Sequence, residues 1–164
     1  GAVRLNAAVN FVDTVTQRFL ISWFNPRATT GFNGYTANRT TSSGTYVELS
    51  TEIRIEFLVF ANSLVGLRFN GRTGAGILSG VTMTAFAFDG TTAEDIMISY
   101  EQAANANEDG VAGSLEKIGL SEGYHFATVL GLSNDGVTTA TWYGAAAGAG
   151  AFRCTMWARI DPNT

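Results

Sequence analysis

The chain is poor in the residue types that usually carry chemistry. Its 164 residues include one cysteine, one histidine, one lysine and two prolines. A lone Cys154 rules out an intrachain disulfide and a thiolate metal cluster, and reads as a small buried apolar residue. A lone His125 leaves one candidate for any general base. Neither G-x-S-x-G nor H-E-x-x-H accompanies it, so it reads as a structural histidine at the start of a strand. Charged residues make up 15% of the chain, against roughly 25% in an ordinary soluble domain. Either the surface is pale, or copies of the chain cover part of it. The formal net charge of −4 gives no electrostatic footprint for nucleic acid. No apolar run nears the ~20 residues needed to cross a bilayer, so no membrane insertion is expected. The N-terminus has no basic n-region and no long h-region. The expectation is a sequence without a signal peptide, either a mature chain or a piece of a longer one.

Turn chemistry and β-formers are abundant. Nineteen glycines punctuate runs rich in Val, Thr, Phe and Ile. Residues 15–24, 46–49, 52–60, 64–69, 81–88, 96–100, 124–131, 137–144 and 152–160 read as strands. The clearest alternation is Ile53, Ile55, Phe57 and Val59 against Glu52, Arg54 and Glu56. Residues 52–60 and 64–69 read as one hairpin. The Asn134-Asp135-Gly136 turn reads as a second, of type I′, joining the two runs on either side of it. Residues 25–44 read as a long polar loop, and 101–123 as a connection with room for one helical turn. No fixed-period repeat argues for a propeller or β-helix. The expectation is a single all-β domain over residues 1–164, a jelly-roll-type β-sandwich of about eight to ten strands.

Candidate sites follow from residue type. Phe32 and Tyr35 in the Gly/Asn/Thr-rich segment, with Trp142 and Tyr143 beside the Gly/Ala spacer, are aromatics with polar neighbours. Such rings hold sugars by stacking, and they also pack cores. The terminal strand sorts its residues by parity: Phe152, Cys154, Met156, Ala158 and Ile160 on one face, Arg153, Thr155, Trp157 and Arg159 on the other. A Trp between arginines on the outward face suits a subunit interface, so Arg153, Trp157 and Arg159 are the interface candidates. Nine of the ten basic residues are Arg, which favours interfaces, although a general Arg preference explains the same count.

Other features carry less. Asp89, Glu94 and Asp95 are the pair-forming carboxylates a glycosidase would use, and Asn107, Glu108 and Asp109 the best calcium cluster. The EF-hand spacing is absent and such turns are ordinarily solvated, so no metal and no cofactor is expected. Gly71, Gly74, Gly76 and Gly80 lack the following helix that a phosphate loop needs. Asn38-Arg39-Thr40 matches an N-glycosylation acceptor that nothing else supports.

The stretch 120–131 (Leu-Ser-Glu-Gly-Tyr-His-Phe-Ala-Thr-Val-Leu-Gly), followed by Ala140-Thr141-Trp142, resembles the end of small trimeric jelly-roll domains on phage tail fibres, tail spikes and neck appendages. Residues 46–49 and 53–58 are similar to the central strands of that group, whose shape is like tumour-necrosis-factor and C1q modules. The likeness runs from Tyr46 onwards. It implies a non-enzymatic homotrimer located on the virion, taking part in fibre or spike assembly and in binding host cell-surface glycan. It also leaves open a capsid decoration protein, whose partners are other virion proteins, and a cleavable C-terminal trimerisation chaperone. A carboxylate-pair depolymerase and a monomeric lectin are the readings from other classes.

Overall fold

A computed structural model of the chain describes residues 2–3, 14–18, 20–21, 27–76, 80–100, 109–145 and 153–162. Its strands are β1 (Ala2–Val3), β2 (Gln17–Arg18), β3 (Leu20–Ile21), β4 (Thr29–Gly34), β5 (Arg39–Thr41), β6 (Val47–Glu48), β7 (Ile55–Val59), β8 (Leu64–Gly74), β9 (Val81–Phe88), β10 (Asp95–Tyr100), β11 (Asp109–Lys117), β12 (Gly123–Ser133), β13 (Ala140–Trp142) and β14 (Thr155–Asp161). A short 3-10 turn, Thr51–Ile53, precedes β7 and is capped by the Ser50 side chain. No α-helix occurs among the described residues.

Eight of these strands pair in a nested order. In chain order, β4 pairs with β14, β7 with β12, β8 with β11, and β9 with β10, all antiparallel. First therefore meets last, second meets seventh, and so inward to the central pair. Lateral pairing of β14 with β8 and of β12 with β9 gathers them into two sheets. One sheet holds β4, β14, β8 and β11, with β13 and β5 extending it; the other holds β10, β9, β12 and β7, with β2 and β6 at its border. This is a jelly-roll sandwich, as the turn-punctuated strand pattern predicts.

The core lies between the sheets because the period-two alternation turns one side of every strand inward. Ile55, Phe57 and Val59 of β7 meet Val65, Leu67 and Phe69 of β8, Phe86 of β9, Ala127 and Val129 of β12, and Met156, Ala158 and Ile160 of β14, all within a few per cent of full burial. Segment 14–17 stitches one flank of the sandwich. The Val15 carbonyl accepts from Phe32 N at 2.7 Å in one sheet, and the Thr16 carbonyl accepts from Glu56 N at 2.9 Å in the other.

Four sequence expectations change. Residues 52–60 and 64–69 make no hairpin: β7 and β8 lie in opposite sheets, and the Phe60–Ser63 turn carries the chain across. The 134–136 turn also crosses between sheets, from β12 to β13, and is not type I′. Gly136 alone has positive φ (65°) there, and its N–H closes on the Ser133 carbonyl at 3.0 Å. Residues 25–44 hold β4 and β5 in place of an open loop. The second half of 101–123 holds β11, so Leu115-Glu116-Lys117 is strand and not helix. Residues 101–108, including Asn107 and Glu108, lie outside the described residues. The same holds for 22–24, the end of the first expected strand.

Candidate functional site: the outer face of one sheet

The outward positions of β4, β14, β8 and β11 form one face. Across its middle, register aligns Phe32, Trp157, Arg68 and Ser114. On one side of that row lie Thr30, Arg159, Gly66 and Glu116; on the other lie Gly34, Thr155, Asn70 and Ala112. Small and short polar groups thus surround a central aromatic pair. Trp157 is 40% exposed, and its ring packs on Phe32 with centroids 5.0 Å apart and planes tilted by 48°.

Arginines border that pair. The Arg153 guanidinium sits over the Phe32 ring at 5.6 Å, and Arg72 over Tyr143 at 4.7 Å. Arg68 is exposed. Arg159, its side chain 67% exposed, pairs with Asp161 at 2.8 Å. Among the described residues, this face carries four arginines against Glu116 and Asp161, a local positive excess on a chain of net charge −4. Thr155 is held more firmly: its hydroxyl donates to Asn70 Oδ1 at 2.5 Å, bracing the face between β14 and β8.

The face brings together five of the seven candidate residues. Phe32, Tyr143, Arg153, Trp157 and Arg159 belong to one surface, although the sequence separates them into two groups. Tyr35 and Trp142 do not belong to it. Both are 0% exposed in the core, so neither offers a ring face to a sugar, and the expectation that they line a binding site is corrected. Trp142 spends its indole N–H on Thr84 Oγ1 at 2.8 Å. Arg68 and Arg72 are the members that sequence reasoning missed. The signal for Arg68 was the β8 alternation, in which Val65, Leu67 and Phe69 point inward and Gly66, Arg68 and Asn70 outward.

The acidic candidates are each occupied. Glu94 Oε2 accepts from Lys117 Nζ at 2.8 Å, and Asp95 Oδ1 accepts from Ile96 N at 2.9 Å. Asp89 Oδ2 meets His125 Nδ1 at 2.5 Å, while its Oδ1 accepts from Phe126 N at 2.9 Å. Ser121 completes a Ser-His-Asp set, but its carbonyl is the closer partner of His125 Nε2, at 2.7 Å against 3.4 Å for the hydroxyl. With the ring only 7% exposed, the arrangement ties a loop down and does not present a nucleophile. No group of three metal-ligating side chains occurs among the described residues.

Outside this face, an ion-pair network covers part of the other sheet. Arg54 donates twice to Glu48, at 2.7 and 2.6 Å, and Thr128 Oγ1 donates to the same carboxylate at 2.6 Å. The guanidinium also stacks over Phe126 at 4.1 Å. Burial pushes the Glu48 carboxyl up, yet the hydrogen bonds from Arg54 and Thr128 and the Arg54 charge together outweigh it and hold the group below its ordinary value.

No protein-family model matches the chain. No curated protein matches it in sequence. Solved structures similar in shape include the Eiger TNF of S. frugiperda, at 7% identity over 85% of this chain and 96% of that one, with a TM-score of 0.48. The globular domain of zebrafish complement 1qA protein follows at 8% identity, 85% and 98% coverage and 0.42. The infectious bursal disease virus Gx strain structure gives 11%, 84%, 36% and 0.40. The jelly-roll assignment rests on the nested strand pairing, not on these scores.

Proposed function

We propose that this chain is a non-enzymatic homotrimeric structural module of a virion appendage, assembled through the outer face of the β4–β14–β8–β11 sheet. The observation that carries the reading is the Trp157–Phe32 pair with its arginine border, set among small neighbours such as Gly66, Ala112 and Ser114. Trp, Tyr and Arg dominate the energetics of protein interfaces, and small neighbours let a second backbone approach. Glycan stacking needs an open ring face. Here Arg153 lies over Phe32 and Arg72 over Tyr143, which favours a protein partner over a sugar on this surface. The appendage location follows from the resemblance of residues 120–131 and 140–142 to phage fibre and spike ends. Host glycan recognition then belongs to the assembled appendage, and the same trimer would serve a capsid decoration protein.

Light scattering on a size-exclusion column, over a range of concentrations, tests the reading. A three-chain mass that persists on dilution, and falls to one chain in Trp157→Glu or Arg159→Glu, is the expected result. A wild-type chain that stays at the mass of one copy overturns it.

A further inference from the structure

His125 sits where β12 begins, and both of its ring nitrogens face oxygen acceptors. Nδ1 is 2.5 Å from Asp89 Oδ2, and Nε2 is 2.7 Å from the Ser121 carbonyl. A neutral imidazole has one N–H and can donate to only one of them; a charged ring donates to both. The two acceptors come from different places. Asp89 ends β9 in a left-handed conformation (φ 55°), fixed by its own N–H to the Phe126 carbonyl at 3.1 Å. Ser121 lies in the segment joining β11 to β12, between two glycines of positive φ, Gly119 and Gly123. That segment keeps Leu120 partly buried against the core while Ile118 is 62% exposed.

We propose that His125 is a protonation-dependent latch for segment 118–122. With the ring charged, Nδ1–H holds Asp89 and Nε2–H holds the Ser121 carbonyl, so the segment is pinned to the end of β9. When the ring loses its Nε2 proton, a lone pair faces the carbonyl oxygen at hydrogen-bond distance and the two repel. Ser121 must then shift to bring its hydroxyl, 3.4 Å away, into donating range, and Leu120 moves with it. Among the described residues, Asp89 is the charged group in contact with the ring. β7 faces it with Phe57, at 6.3 Å between centroids, and Glu94 of the neighbouring turn is already tied to Lys117. The latch is therefore closed with the ring charged and open with the ring neutral.

Nitrogen NMR of the His125 ring, with amide hydrogen exchange across residues 119–122 of the whole chain, tests this from about pH 5 to 8. Loss of a hydrogen bond to a charged group is expected to raise local exchange about tenfold or more, in step with loss of the Nε2 proton. His125→Gln, whose amide does not change protonation over this range, is expected to abolish that step, and Asp89→Asn to move it. A ring that keeps one protonation state across the range overturns the latch, as does exchange that ignores the ring. The wild-type experiment decides the matter even if a variant fails to fold.

Discussion

Trp142 donates its indole N–H to the hydroxyl of Thr84 at 2.8 Å, and both groups are fully buried. The bond spans the sandwich, because β13 extends one sheet and β9 lies in the other. Trp142→Phe removes the donor, strands the Thr84 oxygen and leaves a void. A loss of about 2–4 kcal/mol in urea unfolding is expected. The double variant with Thr84→Val should recover part of that loss, since no buried hydroxyl is then left unpaired. No recovery would show that the void, and not the bond, sets the cost.

Gly66 and Gly71 occupy the same strand and predict opposite outcomes. A Cβ on Gly71 would lie 2.6 Å from the Cα of Cys154, while one on Gly66 meets nothing nearer than the Arg159 carbonyl at 3.9 Å. Gly71→Ala is expected to cost about 1–3 kcal/mol through forced backbone movement. Gly66→Ala should leave the melting temperature unchanged or raised, and equal effects at the two sites would contradict the packing.

The Tyr35 hydroxyl is buried with no hydrogen-bond partner among the described residues, and burial is the main cause of its raised pKa. Removing an unpaired buried hydroxyl is neutral or favourable, so Tyr35→Phe should keep or gain about 1 kcal/mol. A clear loss would reveal a partner, such as a bridging water.

Acid should weaken the fold through Glu48. Its carboxyl is held below the ordinary value in the folded chain, so the stabilisation is present above the unfolded value of about 4.3. It is lost as pH falls through the folded value. The urea midpoint is expected to fall between about pH 5 and pH 3, and to fall less steeply in Glu48→Gln. Identical pH profiles for the two proteins would remove Glu48 from the account. Asp135 adds to the same trend: bonds from the Thr138 hydroxyl and the Val137 and Thr138 amides also lower its pKa.

The terminal strand was legible in the sequence because one of its faces is buried and side-chain parity is strict. Met156, Ala158 and Ile160 are inside, with Trp157 and Arg159 exposed between them. Local composition failed where a partner strand supplies the order. Thr29–Gly34 has a loop's composition, yet it pairs with β14 through six consecutive residues. Asp109–Lys117 likewise pairs with β8 along its whole length. The 134–136 turn misled because Asp-Gly signals a hairpin only when both flanks join one sheet. Here the Asp135 carboxylate folds back to the amides of Val137 and Thr138, at 2.9 and 2.8 Å, and the chain leaves for the opposite layer. Tyr35 and Trp142 look like binding aromatics by neighbourhood, but parity along their strands sends them inward. For the outer face, residue types were legible, whereas the union of Phe32 with Trp157 depends on register between strands far apart in sequence.

Nested pairing also dictates when the protein can become itself. Thr29 pairs with Ile160, and β14 lies between β4 and β8. A chain emerging from the ribosome therefore holds two strands with no neighbour between them until Thr155–Asp161 is free. Such long-range closure makes folding slow and late. Any product cut short before Thr155 would lack the strand that joins those two neighbours, and with it Trp157 and Arg159 of the outer face.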